Sequence, residues 1–148
     1  MPVRFHKGDL FEELDTGKYS VVVQGLNCQC AWGSGFAREA KSRFKNAYRA
    51  DRETMKGDRS KLGTCTYHIE DIGVIAVNAY TQLYYSRTRL VADYVSIQEA
   101  CKNLNDVLKD RHVIMPFIGG GLAGGNREHL VTIFERYFTT LNVTICYL

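Results

Sequence analysis

The chain has 148 residues, 45% hydrophobic and 24% charged, which is the balance of one globular domain able to build its own core. Its net charge of +3 is too small to mark a nucleic-acid binder, and it contains no apolar run long enough to cross a bilayer. Met1 to Phe11 is too polar for a signal peptide, and the odd count of five cysteines reads as free thiols in a reducing cytoplasm.

In chain order, the β-branched run from Val3 ends in turn residues at Gly8-Asp9 and predicts a first strand. "SVVVQGL" (20–26) is a short continuous apolar run, the pattern of a strand buried on both faces. Phe36, Ala40, Phe44, Ala47 and Tyr48 fall on one face of a single helix. "GTCTYHIEDIGVIAVNAYTQ" (63–82) predicts two strands meeting at a turn near Asp71-Ile72-Gly73. A second helix carries the stripe Ile97, Ala100, Cys101, Leu104, Val107 and Leu108. After the strand "HVIMPFIG" (112–119), a third helix carries Leu130, Ile133, Phe134, Tyr137, Phe138 and Leu141, and "VTICYL" (143–148) closes the series. Strands alternating with amphipathic helices predict an α/β layered fold spanning 1–148 as one domain. In such folds ligands sit outside the carboxyl ends of strands, here at the loops 26–36 and 118–126.

The first of these loops, within "NCQCAWGSGFARE" (27–39), fits three chemistries: a metal loop, a reactive thiol or a phosphate cradle. Zinc sites need wider cysteine spacing and a second pair, which Cys65, Cys101 and Cys146 do not supply, so no metal is expected. A thiol nucleophile needs a partner histidine, and none is identifiable. Gly33 and Gly35 before a helix start favour the phosphate reading, since unsatisfied N–H groups and the helix dipole suit an anion. The second loop, "IGGGLAGGNRE", holds five glycines within Gly119 to Gly125, more than a plain turn needs. Two such loops at one sheet edge suggest a diphosphate held from both sides, with no separate cofactor. The basic run Lys41, Arg43, Lys45, Arg49, Arg52, Lys56, Arg59 and Lys61 reads as a solvated helix face and loop rather than a nucleic-acid patch.

Taken together, "KGDLFE" (7–12), "GLNCQCAWGSGFA" (25–37), "KLGT" (61–64), "NAYTQ" (78–82), "ADY" (92–94) and "MPFIGGGLAGGN" (115–126) resemble the macrodomain family. The resemblance covers nearly the whole chain. It implies a three-layer α/β/α fold around a mixed, mostly parallel sheet of about six strands, and a small-molecule partner of ADP-ribose type. The chain is most similar to a branch with phage and bacterial members described as ADP-ribose-1''-phosphate phosphatases. By the same resemblance, Asp9 would accept from the adenine amino group with Leu10 beside it, although Asp9 and Glu12 also fit a helix capping box. Asn27 would meet the distal ribose and is the candidate catalytic residue, orienting water. Gly33, Ser34, Gly35 and Phe36 would line one side of the diphosphate. Ile118, Gly119, Gly120, Gly121, Leu122 and Ala123 would line the other, and Gln24 also lines the site.

Three departures from the family pattern bear on turnover. Gln24 stands where this branch commonly has a histidine able to carry protons near neutral pH. Gln82 stands where glycohydrolase relatives have a lysine, and Ala123 where those acting on glutamate-linked ADP-ribose have an aspartate. The resemblance therefore leaves open a phosphatase, a non-catalytic ADP-ribose binder or sponge, and, more weakly, an ADP-ribosyl hydrolase.

Overall fold

Strand β2 (Val21–Asn27) occupies the interior of a six-stranded sheet, paired in parallel with β4 (Ile75–Gln82) on one side and β5 (His112–Pro116) on the other. The computed structural model describes residues 3–32, 36–85, 92–120 and 124–148. Beyond β5 lie β6 (Asn142–Tyr147) and the edge strand β1 (Val3–Lys7), both parallel to it. Beyond β4 lies β3 (Cys65–Ile69), antiparallel, so the order is β1-β6-β5-β2-β4-β3. This is the mixed, mostly parallel sheet of six strands that the family resemblance implies.

Helices cover both faces, which is why β2 reads as a continuous apolar run. Val21 and Val23 point into a core with Ile97 and Leu104 of α4 (Tyr94–Leu108) and Leu130 and Phe134 of α5 (Arg127–Tyr137). Val22 and Leu26 point into a second core with Phe11 of α1 (Leu10–Leu14), Ala40 of α2 (Phe36–Arg43) and Ala47 of α3 (Lys45–Arg52). Among the described residues no helix is long and apolar enough to cross a membrane.

The structure corrects the helix boundaries in three places. The five-residue α1 joins the three predicted helices; Asp9 caps it, accepting from the Phe11 N–H at 3.3 Å, as the capping reading of that residue requires. The single helix expected through Phe36 and Tyr48 is two, broken at Phe44, which leaves helical geometry at φ −115° and ψ 67° while its ring stays buried. The predicted stripe of the third helix also outruns it. Helix α5 stops at Tyr137, and Leu141 reaches the core from the turn into β6.

The break at Phe44 is stabilised from elsewhere in the chain. No side chain of its own segment caps α3. Instead the buried carboxylate of Glu70, just after β3, accepts from the N–H groups of Asn46 at 3.0 Å and Ala47 at 2.8 Å. An anion there also meets the positive end of the helix dipole. Glu70→Ala should therefore cost about 1–2 kcal/mol, the usual loss of a cap plus unsatisfied donors. Urea unfolding should show a lower midpoint at unchanged slope; an unchanged midpoint would show that the cap contributes nothing.

Candidate functional site

Strands β2 and β5 are neighbours, aligned Val21↔Val113 and Val22↔Ile114, so their carboxyl ends lie side by side. From β2 the chain runs through α2 and α3 toward β3 and β4, and from β5 it runs through α5 toward β6, in the opposite direction along the sheet. The β2–β5 gap is therefore a topological switch point, where parallel α/β sheets open a ligand crevice. Both glycine loops leave the sheet there. Asp9 and Leu10 follow the carboxyl end of β1 on the same edge.

Asn27, the last residue of β2, shapes its own loop. Its side-chain oxygen accepts from the N–H groups of Gln29 at 2.9 Å and Ala31 at 3.4 Å, and its amide donates to the Ala31 carbonyl at 3.0 Å. A register shift at Leu26/Asn27 lets the Cys28 N–H reach the carbonyls of Gln82 and Leu83. At the far end of the loop, Trp32 is buried and its indole N–H donates to Asp51 Oδ2 at 2.7 Å. Asp51, fully buried on α3, also accepts at Oδ1 from the Tyr80 hydroxyl at 2.5 Å. Burial first, then the Asp51 carboxylate, push the Tyr80 phenol up, so it remains a proton donor.

The loop after β5 folds back on itself. The Gly125 N–H donates to the Gly119 carbonyl at 2.6 Å, and a Cβ on Gly125 would strike that same oxygen. A Cβ on Gly120 would lie 2.7 Å from the Phe117 ring. The glycine excess, which at first points to a ligand, is thus needed in part by the loop's own closure. Beside this loop an open groove of about 460 Å³ is lined by Phe5, Phe117, Arg127, Glu128, Val131 and Tyr147. The guanidinium of Arg127 lies 4.9 Å from the centre of the Phe117 ring.

No protein-family model matches the chain. It is 27% identical over 153 residues to an uncharacterized 17.5 kDa protein from the tk-vs intergenic region of Enterobacteria phage T4, covering 98% of this chain and 96% of that protein. Among solved structures, it matches the macrodomain of Thermus aquaticus DarG with a TM-score of 0.76 at 18% identity, over 99% of this chain and 98% of that one. This is the macrodomain fold. Thermosipho africanus DarTG, solved in complex with ADP-ribose, matches with a TM-score of 0.75 at 14% identity over 97% of this chain and 41% of that one.

Within this macrodomain fold the expected site residues are placed unevenly. Asp9, Leu10, Asn27, Ile118, Gly119 and Gly120 stand at the carboxyl edge of the sheet; Leu10 and Ile118 are both buried, at 5% and 6% exposed. Gly33, Ser34, Gly35, Gly121, Leu122 and Ala123 lie outside the described residues. Phe36 opens α2 with its ring stacked on Phe11, 5.1 Å between centres. Gln24 lies within the sheet rather than at its edge. It is 2% exposed, donates to Asn78 Oδ1 at 3.0 Å, and Asn78 in turn donates to the Ala47 carbonyl at 2.9 Å. A histidine at that depth would have its charged form disfavoured by burial.

Residues that pattern reading passed over are Asp51, hidden in the basic run, and the aromatics of the groove. The run itself is partly drawn inward: Lys61 is 8% exposed, and Arg43 pairs with Asp15 at 3.1 Å. Among the described residues no cluster of three His, Cys, Asp or Glu side chains could hold a metal ion. Burial pushes the thiols of Cys28 and Cys101 up, Cys65 to about 12 and Cys146 to about 11. Cys30 is half-buried in the loop after β2. At pH 8, iodoacetamide should accordingly alkylate Cys30 well before the other four, as peptide mapping would show. Rapid labelling of Cys101 or Cys146 in the folded protein would contradict this placement.

Proposed function

We propose that the chain binds ADP-ribose or a close derivative in the crevice at the β2–β5 switch point. The observation that carries this is the parallel alignment of β2 with β5, which starts two glycine-rich loops side by side at one edge. The match to macrodomains, one of them solved with ADP-ribose, supports the ligand class. In this reading the diphosphate lies between the loop 33–35 and the loop 118–123, held by main-chain N–H groups. Asp9 accepts from the adenine amino group, Leu10 packs beside it, and Phe36 and Asn27 lie toward the distal ribose. The aromatic groove of Phe5, Phe117 and Tyr147 offers apolar surface beside the same edge for a flat base.

Two chemistries remain for such a site. Hydrolysis of ADP-ribose 1''-phosphate would transfer the phosphoryl group to water and release ADP-ribose and phosphate, with Asn27 orienting the water. The alternative is capture without turnover. The side chains favour capture: both ends of the Asn27 amide already bond its own loop, and the Gln24 amide is buried against Asn78. None of the four histidines stands on β2 or in the loop after it. General acid–base help, worth about 10²–10⁴-fold, is therefore missing at the positions where resemblance expects it. ADP-ribosyl hydrolysis is disfavoured further by Gln82 and Ala123, which offer no titratable group.

Calorimetry should give low-micromolar affinity for ADP-ribose, about −8 kcal/mol. Gly35→Glu should abolish it by placing bulk and like charge where the diphosphate approaches. Absence of both heat and thermal shift at millimolar ADP-ribose would reject the ligand. Phosphate release from ADP-ribose 1''-phosphate should be slow or absent. Robust release unaffected by Asn27→Ala would establish an enzyme whose catalytic groups lie elsewhere.

A further inference from the structure

We infer that Cys30 and Lys61 form a redox-modification site: a peroxide oxidises the Cys30 thiol, and the Lys61 amine then closes on the sulfur through an N–S bond. The two side chains come from different segments, the loop after β2 and the short turn Arg59–Lys61 before β3. Lys61 is 8% exposed. Its ammonium donates to Thr54 Oγ1 at 2.8 Å, lies 3.9 Å from Cys30 Sγ and sits 5.3 Å from the centre of the Tyr80 ring. Among the described residues no carboxylate stands within ion-pair distance of it. Lysines are seldom buried without a charged partner. Tyr80 stays protonated against Asp51, so the thiol is the group beside this lysine that can become an anion.

Backbone strain accompanies this contact. Cys30 has a φ of 56°, a left-handed conformation uncommon for a residue with a Cβ, and such strain clusters at functional positions. The two segments are already docked, since the Gly57 N–H donates to the Cys28 carbonyl at 2.6 Å. Cys30 is half-open to solvent, whereas Cys28, Cys101 and Cys146 are buried. A partly exposed thiol against a cation is the setting of oxidant-sensitive cysteines. At rest the thiol donates to the Asp51 carbonyl at 3.3 Å. Once that proton is lost to solvent, the sulfur attacks one peroxide oxygen; an S–O bond forms and the O–O bond breaks. The leaving hydroxide takes a proton from the Lys61 ammonium and departs as water. The amine so freed attacks the sulfenic sulfur, and the hydroxyl leaves with an amine proton as a second water. Sulfur gives up two electrons, the peroxide gains them, and the chain ends lighter by two hydrogen atoms.

Treating the full chain with hydrogen peroxide and mapping its peptides tests this. No nucleotide enters the experiment, so its outcome is separate from the ADP-ribose reading. Trypsin should no longer cut after Lys61, and the peptides of Cys30 and Lys61 should appear joined and lighter by two hydrogen atoms. A thiol reductant should reverse the link. Lys61→Arg keeps the cation but lacks the condensing amine, so dimedone should trap Cys30 there as its sulfenic acid, formed within about threefold of the wild-type rate. Lys61→Met removes the cation and should slow Cys30 oxidation about tenfold. The decisive mapping is made on wild type, so it stands even where a variant fails to fold. A Cys28–Cys30 disulfide, equally lighter by two hydrogen atoms, or a sulfenic acid with Lys61 still open to trypsin would overturn the proposal. Oxidation of Lys61→Met as fast as wild type would do the same.

Discussion

Everything at the carboxyl edge depends on β2 being parallel to both of its neighbours. Parallel neighbours need crossover connections, and those crossovers supply the helices that bury both faces of the strand. One crossover leaves β2 toward β4 and another returns from β4 to β5 on its far side, so the gap between β2 and β5 is left uncovered by either. The switch point thus follows from connectivity, and the loops only furnish it. This explains why a chain sharing 18% of its residues with a DarG macrodomain keeps the same architecture. The continuous apolar runs of the central strands and the helices that cover them carry this architecture, and the loops are free to differ.

The polar residues inside this frame are spent mostly on the frame. Gln24 and Asn78 link β2 and β4 to the end of a helix turn, Glu70 caps a helix that has no cap of its own, and Asn27 folds the loop that follows it. Asn78, Glu70 and Asn27 each satisfy a backbone group that would otherwise lack a partner, whereas Gln24 bonds only the Asn78 side chain and its Oε1 is buried without a partner among the described residues. A residue already bonded at both ends of its amide has little left to offer chemistry. Reserve for chemistry is what an acid or base must have, and the described residues at this edge hold little of it.

The strands, their order of appearance and helix α4 were legible in the sequence because each rests on local periodicity. The break at Phe44 was not, since an apolar stripe continues through it and the group that stabilises the break, Glu70, comes from a different element. Asp51 was equally hidden: among eight basic residues an acid looks like charge balance, and only the tertiary fold brings it to Trp32 and Tyr80. The one local hint was a large aromatic with a polar N–H beside Gly33, which needs a partner once buried. In the second glycine loop composition alone does not separate two demands, because Gly125 and Gly120 are packed closely against Gly119 and Phe117 in the same stretch that a ligand cradle would use.

The pairing of β1 with β6 bears on how the chain is made. Val3 pairs with Val143, and among the described residues β1 has no other strand beside it. Synthesised before the other five strands, β1 waits while the intervening elements are made, and the entropy of closing so long a loop is met only when β6 arrives. Until then its backbone is an open edge with Phe5 beside it, the kind of surface that recruits another chain. The lysine and arginine on that strand, Lys7 and Arg4, carry charge that discourages such pairing during the wait. Completion of the last strand is thus the step that seals the sheet.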